Sequence, residues 1–278
     1  MKIAVLSGKG GAGKTLTAVN LAVSADKAAY IDCDVEEPNG YLFLKPEDTV
    51  QKQVNTKIPA FDETKCKGCR ECVSFCRFNA LVYIRNKPVV FPEVCHACGG
   101  CGLICPNGAV SETETPIGYI EQGRHGNVSV TTGVLNPGEA SGVQVINAAL
   151  AEGTAYDGLT VIDCPPGSSC AVMESISEAD YCVLIAEPTA FGFHNFRMAY
   201  ELTALLGRPC GVVINKMNGN YEPLESFCEE KKLPVLLRIP YSAKIAELAA
   251  RGDIAAEEDG EFASVFAELL EKIGGAVK

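Results

Sequence analysis

The chain has 278 residues, 47% of them hydrophobic, and a formal net charge of −11. That length fits one to two domains with a full apolar core. The acidic balance argues against a nucleic-acid partner, since tracking phosphates needs Lys/Arg surfaces, and no stretch reaches the roughly 18 consecutive apolar residues of a membrane span.

The first element is a short apolar, β-prone strand, Lys2 to Leu6, which runs straight into a glycine loop. With no basic flank or cleavage site ahead of it, it does not read as a signal peptide, and a cytoplasmic location is expected. Leu16, Val19 and Val23 then recur at helical spacing. A second strand, Ala28 to Ile31, ends in Asp32-Cys33-Asp34. Further on, strands are expected at 160–162, 181–186, 211–214 and 235–239. Helical patterns lie at 139–150, 193–206 and 221–231. A final amphipathic helix puts Phe262, Phe266, Leu269 and Ile273 on one face. This alternation predicts an α/β fold, a mostly parallel sheet covered by helices.

Between about Ile58 and Ser111 the rhythm breaks into short apolar pieces, Gly, Pro and dense cysteine, too little core to fold without a staple. Cys66–Leu81 and Cys95–Val110 superimpose at an offset of 29 residues, so two half-modules are expected, each a cysteine loop followed by a short helix. From Phe61 to Val110 six Lys/Arg face four Asp/Glu, so the acidity lies elsewhere. The expected organisation is a core in two parts, 1–57 and 113–278, with 58–112 an α+β insert. The tract Gly118–Asn127, with Arg124 and His125, reads as a strand-turn link with no chemistry.

Gly8-Lys9-Gly10-Gly11-Ala12-Gly13-Lys14-Thr15 satisfies G-x-x-x-x-G-K-[ST] between a strand and a helix. Glycines let successive N–H groups, through Leu16 at the helix start, curl round the phosphates of ATP or ADP; the positive helix end adds to this. Lys14 is expected to reach the terminal phosphates and the Thr15 hydroxyl to bind Mg²⁺.

Fourteen cysteines in a chain without a secretory signal point to metal rather than disulfides. Cys66-x₂-Cys69-x₂-Cys72-x₃-Cys76 and Cys95-x₂-Cys98-x₂-Cys101-x₃-Cys105-Pro106 follow the two-cluster bacterial ferredoxin pattern. In that pattern the fourth cysteine of each run ligates the other cluster. Cys66, Cys69, Cys72 and Cys105 are therefore assigned to one [4Fe–4S] cluster, and Cys95, Cys98, Cys101 and Cys76 to the second; zinc knuckles are the competing reading. Arg77 departs from the pattern where proline is usual. His96 beside Cys95 reads as solvated or supporting rather than ligating. Cys33, Cys164, Cys170, Cys182, Cys210 and Cys228 are scattered, as buried small hydrophobes usually are.

Lys9 inside the loop resembles the deviant Walker A signature of the MinD/Mrp/nitrogenase iron protein class of ATPases. With Asp32–Asn39, the eight cysteines, Asp163–Gly167 and Glu187-Pro188-Thr189, nearly the whole chain is similar to members of that superfamily with an inserted ferredoxin domain. The resemblance implies that Lys9 acts in trans across a nucleotide-sandwich homodimer. It implies that Asp34 orients the attacking water and that Asp163 closes the Mg²⁺ shell, both near the metal. Asp32 would support the shell or loop, and Asn215 would contact the base. Cys170, seven residues after Asp163, is a further candidate for a metal or bridging cluster at the dimer axis, set against packing as a free thiol. Two functions are implied: ATP-gated electron transfer through the clusters to a protein partner, or Mrp-like assembly and delivery of an iron–sulfur or metal cofactor. Asp163-Cys164-Pro165-Pro166-Gly167 favours the second, whereas the lack of a Cys-x-x-Cys outside the cysteine block counts against it.

Overall fold

In the computed structural model, which describes residues 1–154 and 158–277, the expected strand and helix alternation is present. In chain order it runs β1 (Lys2–Leu6), α1 (Lys14–Val23), β2 (Ala28–Asp32), α2 (Gly40–Leu44), β3 (Glu47–Phe61), α3 (Glu71–Phe75), β4 (Leu81–Ile84) and β5 (Lys87–Val90). It continues with α4 (Gly100–Ile104), β6 (Val110–His125), β7 (Val128–Leu135), α5 (Val143–Gly153), β8 (Leu159–Asp163), α6 (Cys170–Ile176) and β9 (Tyr181–Ala186). α7 (Ala190–Leu205), β10 (Cys210–Met217), α8 (Glu222–Lys231), β11 (Val235–Pro240), α9 (Ala243–Arg251), α10 (Ala255–Glu258) and α11 (Gly260–Ala276) complete it. Nine strands form one sheet in the order β11-β10-β9-β1-β8-β2-β7-β6-β3, parallel from β11 to β7.

Strand alternation sorts the core into two layers. Ile3 and Val5 of β1 join one buried cluster with α1 and α11, while Ala4 and Leu6 join the other with α5, α6 and α7. Burial on both faces explains why β1, β2, β8 and β9 read as continuous apolar runs rather than alternating ones. In α11, Phe266, Leu269 and Ile273 are buried as the pattern predicts, and Phe262 is half-buried.

The sequence reading missed the antiparallel edge. β6 pairs β7 only from Gly118 to His125, and β3 pairs β6 along its whole length. Seven residues of β3, Asn55–Phe61, pair with 110–116 beyond the end of β7. At about 3.3 Å per residue that is an arm of roughly 20 Å. Because β7 runs parallel to β2 and ends at Leu135, the arm leaves from the sheet edge that carries Asp32 and Asp163. A register shift between Val54 and Asn55 makes Ile117 an extra residue, a β-bulge where the arm departs. At its far end lie α3, α4 and the β4–β5 hairpin.

Candidate functional site

The phosphate loop is held by its neighbours on the sheet. Cys164 N donates to Val5 O at 3.0 Å, Gly167 N to Ser7 O at 3.0 Å, and the Ser7 hydroxyl to Lys9 O at 2.7 Å. Gly11 and Gly13 have φ of 73° and 102°. At Gly13 a side chain is also excluded sterically, since a Cβ would lie 2.2 Å from Asn215 Nδ2. Loop and helix open on a cavity of about 510 Å³ lined by Gly10, Gly11, Gly13, Lys14, Thr15 and Leu16 on one side. Asp34, Glu37, Asn39, Pro165 and Pro166 line the other, so the cavity brings together the loop, the start of α1, Asp34 and the prolines after Asp163, while Asp163 itself is buried behind this lining.

Three carboxylates sit at adjacent strand ends, Asp32 facing Asp163 in register. Asp32 is buried and accepts N–H bonds from Asp34 (3.1 Å), Asn39 (3.1 Å) and Gly40 (2.9 Å), which pins both ends of the 34–39 loop. Asp32 therefore supports the loop. Asp34 stands in the cavity, its carboxyl pushed up to about 6 by burial against the opposing pull of Lys14. Asp163 is raised chiefly by burial, with Lys14, Thr15 and Tyr30 acting the other way. Its Oδ2 accepts from the Tyr30 hydroxyl at 3.0 Å, while Oδ1 is buried without a partner. Lys14, 6% exposed, is the buried cation among these anions. This donor set, a hydroxyl and carboxylates beside a buried lysine, fits a nucleotide-bound Mg²⁺.

Lys9 is turned back in cis. Its ammonium pairs with Glu187 at the end of β9 and lies 5.4 Å from the Phe191 ring. Lys216 approaches the same carboxylate at 3.7 Å and donates to Gly11 O at 2.6 Å. Asn215 lies beneath the loop, its amide donating to Ala12 O at 2.8 Å and accepting from Lys216 N. Cys170 is the first residue of α6 and exposed. Sequence reasoning missed Tyr30 and Lys216 as members of this site, and named Glu187 within a motif without giving it a role. Tyr30 could have been found, since strand period places it on the same face as Asp32, two residues on.

In the cysteine block the 29-residue repeat recurs in the backbone. Left-handed φ values occur at Gly68 and Ala97 (67° and 50°), Arg70 and Gly99 (67° and 69°), and Asn79 and Gly108 (54° and 56°). Such reversals turn N–H groups inward and make concavities suited to anions; Ala109 N, for example, donates to Cys105 Sγ at 3.3 Å. Cys66, Cys69, Cys72 and Cys105 line one cavity, and Cys76, Cys95, Cys98 and Cys101 line another. Among the described residues, no three His, Cys, Asp or Glu side chains are gathered closely enough for a single metal ion. His96 stacks on Phe78 with ring centroids 3.9 Å apart.

Arm and nucleotide cavity share a foothold. Val35, next to Asp34, packs in one apolar cluster with Val54, Ile117 and Val145, and accepts from Leu135 N at 2.8 Å. Asn136 then donates its N–H to Ile117 O at 2.8 Å and its amide to Pro116 O at 3.3 Å, at the bulge itself.

The CobQ/CobB/MinD/ParA nucleotide binding domain matches residues 3–255, and the chain belongs to this family of P-loop ATPases. It is similar to the uncharacterized protein MJ0579 of Methanocaldococcus jannaschii, 26% identical over 258 residues covering 91% of this chain and 90% of that one. The uncharacterized ferredoxin MJ0199 of the same organism is 42% identical over 52 residues, 18% of this chain and 84% of its own. Among solved structures, the septum site-determining protein MinD of Pyrococcus horikoshii, complexed with Mg-ADP, superimposes with a TM-score of 0.61 at 18% identity, covering 98% of this chain and 95% of that one. That likeness is one of fold. No helix among the described residues is long and apolar enough to cross a membrane.

Proposed function

We propose that this chain is an ATP-binding and hydrolysing iron–sulfur protein, in which nucleotide state controls electron transfer through two [4Fe–4S] clusters to a protein partner. The observation that carries the reading is the exchange of cysteines between the half-motifs: each cavity takes three from one run and the fourth from the other. A single zinc would need its sulfurs about 2.3 Å from one point, whereas these cysteines ring cavities. The likeness of a 52-residue stretch to a ferredoxin supports the same choice. Bound there, the clusters would supply one-electron transfer at potentials set by cluster type, hydrogen bonds and exposure.

The chain's own residues supply the rest. Lys14 and the loop N–H groups hold the phosphates, and Thr15, Asp34 and Asp163 hold Mg²⁺. Asp34 orients water once ionised. Lys9 would leave Glu187 for a second copy's phosphates in a homodimer. Val35, Leu135 and Asn136 link the loop bearing Asp34 to the foot of the arm. The test is stopped-flow oxidation of the dithionite-reduced protein by a viologen dye with Mg-ATP, Mg-ADP or neither. Nucleotide-dependent rates support the proposal; identical rates reject gating and leave cofactor assembly as the better reading.

A further inference from the structure

Tyr30 is the least expected side chain in the nucleotide half of the molecule. It lies on β2, wholly buried among apolar side chains, opposite Val161 of β8. Strand period carries its ring diagonally towards the next same-face pair, Asp32 and Asp163. There the hydroxyl donates to Asp163 Oδ2 at 3.0 Å. The hydroxyl is boxed in by α2, because a Cβ on Gly40 would lie 2.2 Å from it. Gly40 in turn donates its N–H to Asp32 Oδ2 at 2.9 Å. One glycine thus gives the phenol its seat and closes the loop that bears Asp34.

The consequence falls on Asp163. The terminal torsion of an aspartate is broad and roughly two-fold, so a carboxylate with no fixed donor can present either oxygen. Here the phenol takes Oδ2 and leaves Oδ1 as a buried acceptor without a partner. Lys14 and Thr15 of the phosphate loop also act on this carboxyl, and Asp32 faces it in register. We infer that Tyr30 is a positioning residue, whose hydroxyl fixes Asp163 so that Oδ1 is presented to the divalent cation of a bound nucleotide beside Thr15. The inference rests on the reading of Asp163 as the metal-side carboxylate. Partners that orient ligating groups from behind typically affect metal affinity by about 10–100-fold.

The test uses the full chain, with Mn²⁺ as probe in the presence of ADP and free Mn²⁺ read by EPR. Tyr30→Phe keeps the ring and is expected to weaken Mn²⁺ binding about tenfold, while ADP affinity in EDTA stays within about twofold. Tyr30→Met, which also removes the hydroxyl and leaves Gly40 and the loop bearing Asp34 in place, is expected to give a similar loss if Tyr30→Phe folds poorly. In an Asp163→Asn background, Tyr30→Phe is expected to add nothing further, a non-additivity that lost packing alone would not produce. If Asp163→Asn weakens Mn²⁺ binding but neither Tyr30→Phe nor Tyr30→Met does, the hydroxyl only fills space and the inference is overturned. If Asp163→Asn itself leaves Mn²⁺ binding unchanged, the assignment of Asp163 fails, and the inference with it.

Discussion

The phosphate loop and the cysteine loops use the same device and stand on different foundations. Both reverse the backbone through left-handed residues, Gly11 and Gly13 in one, Gly68, Arg70, Ala97 and Gly99 in the other, a geometry suited to anions. The phosphate loop is suspended between β1 and α1, where Ile3, Ala4, Val5 and Leu6 on one side and Ala18, Val19, Leu21 and Ala22 on the other are wholly buried in the two main clusters. No cysteine of the repeat is buried, and around them Phe75, Phe78, Phe91 and Leu103 are exposed, Leu103 by 90%. The core is held by apolar burial, whereas the block at the end of the arm, on the function proposed above, would depend on what its thiolates bind. The two regions therefore fail separately, and substitutions can show it.

The largest effect is expected from Lys14→Ala. Losing the buried cation that faces the phosphates reduces nucleotide affinity by about 100-fold or more, some 3 kcal/mol, while iron content is unchanged. Loss of iron in this variant would break the separation. Its mirror image is Cys98→Ser, which lowers iron from about eight to about four atoms per chain and leaves nucleotide affinity within about twofold. Calorimetry and iron quantification on both variants decide the matter.

Asp34→Asn is expected to divide activity from stability. Burial raises the Asp34 carboxyl to about 6, above the roughly 3.9 of an unfolded chain. The folded state then holds the proton more tightly, so this residue's contribution to stability is greatest when protonated. It declines as pH rises from about 4 to about 6. The amide removes that penalty: at pH 7 the nucleotide-free variant melts about 2–4 °C higher than the parent, and at pH 4 the two coincide. Hydrolysis is lost at both pH values. In the parent, kcat/KM rises with pH through the same group. A variant no more stable than the parent at pH 7 would contradict the assignment.

The smallest effect probes the junction of the two regions. Asn136→Ala removes the amide bond to Pro116 O at the bulge and touches neither site. Iron content and nucleotide affinity stay as in the parent, while the ATP-induced change in dye oxidation rate falls by about half or more. An unchanged ATP effect would mean that coupling runs elsewhere.

Much of the first region was legible because its chemistry is local. Eight contiguous residues define the phosphate loop, and the spacing named two cysteine sets, Cys66, Cys69, Cys72 and Cys105 and Cys76, Cys95, Cys98 and Cys101, each of which lines a cavity of its own. Burial of whole strands left apolar runs that could be read without their partners. The arm was not legible. β3 from Glu47 to Gln53 is a polar, exposed edge, and the tract from Gly118 read only as a strand-turn link, although Pro116 and Gly118 flank a bulge in a long strand. Tyr30 and Glu187 acquire meaning only through distant partners, Asp163 and Lys9, supplied by tertiary pairing.

On the proposed function, nucleotide occupancy in the core is felt by clusters held on the arm. Anaerobic EPR of the reduced protein, with iron quantified and spectra recorded with and without Mg-ATP, tests it most directly. About eight irons per chain are expected, with cluster signals that change when Mg-ATP binds. Spectra indifferent to Mg-ATP at full iron loading, or zinc in place of iron, would contradict it.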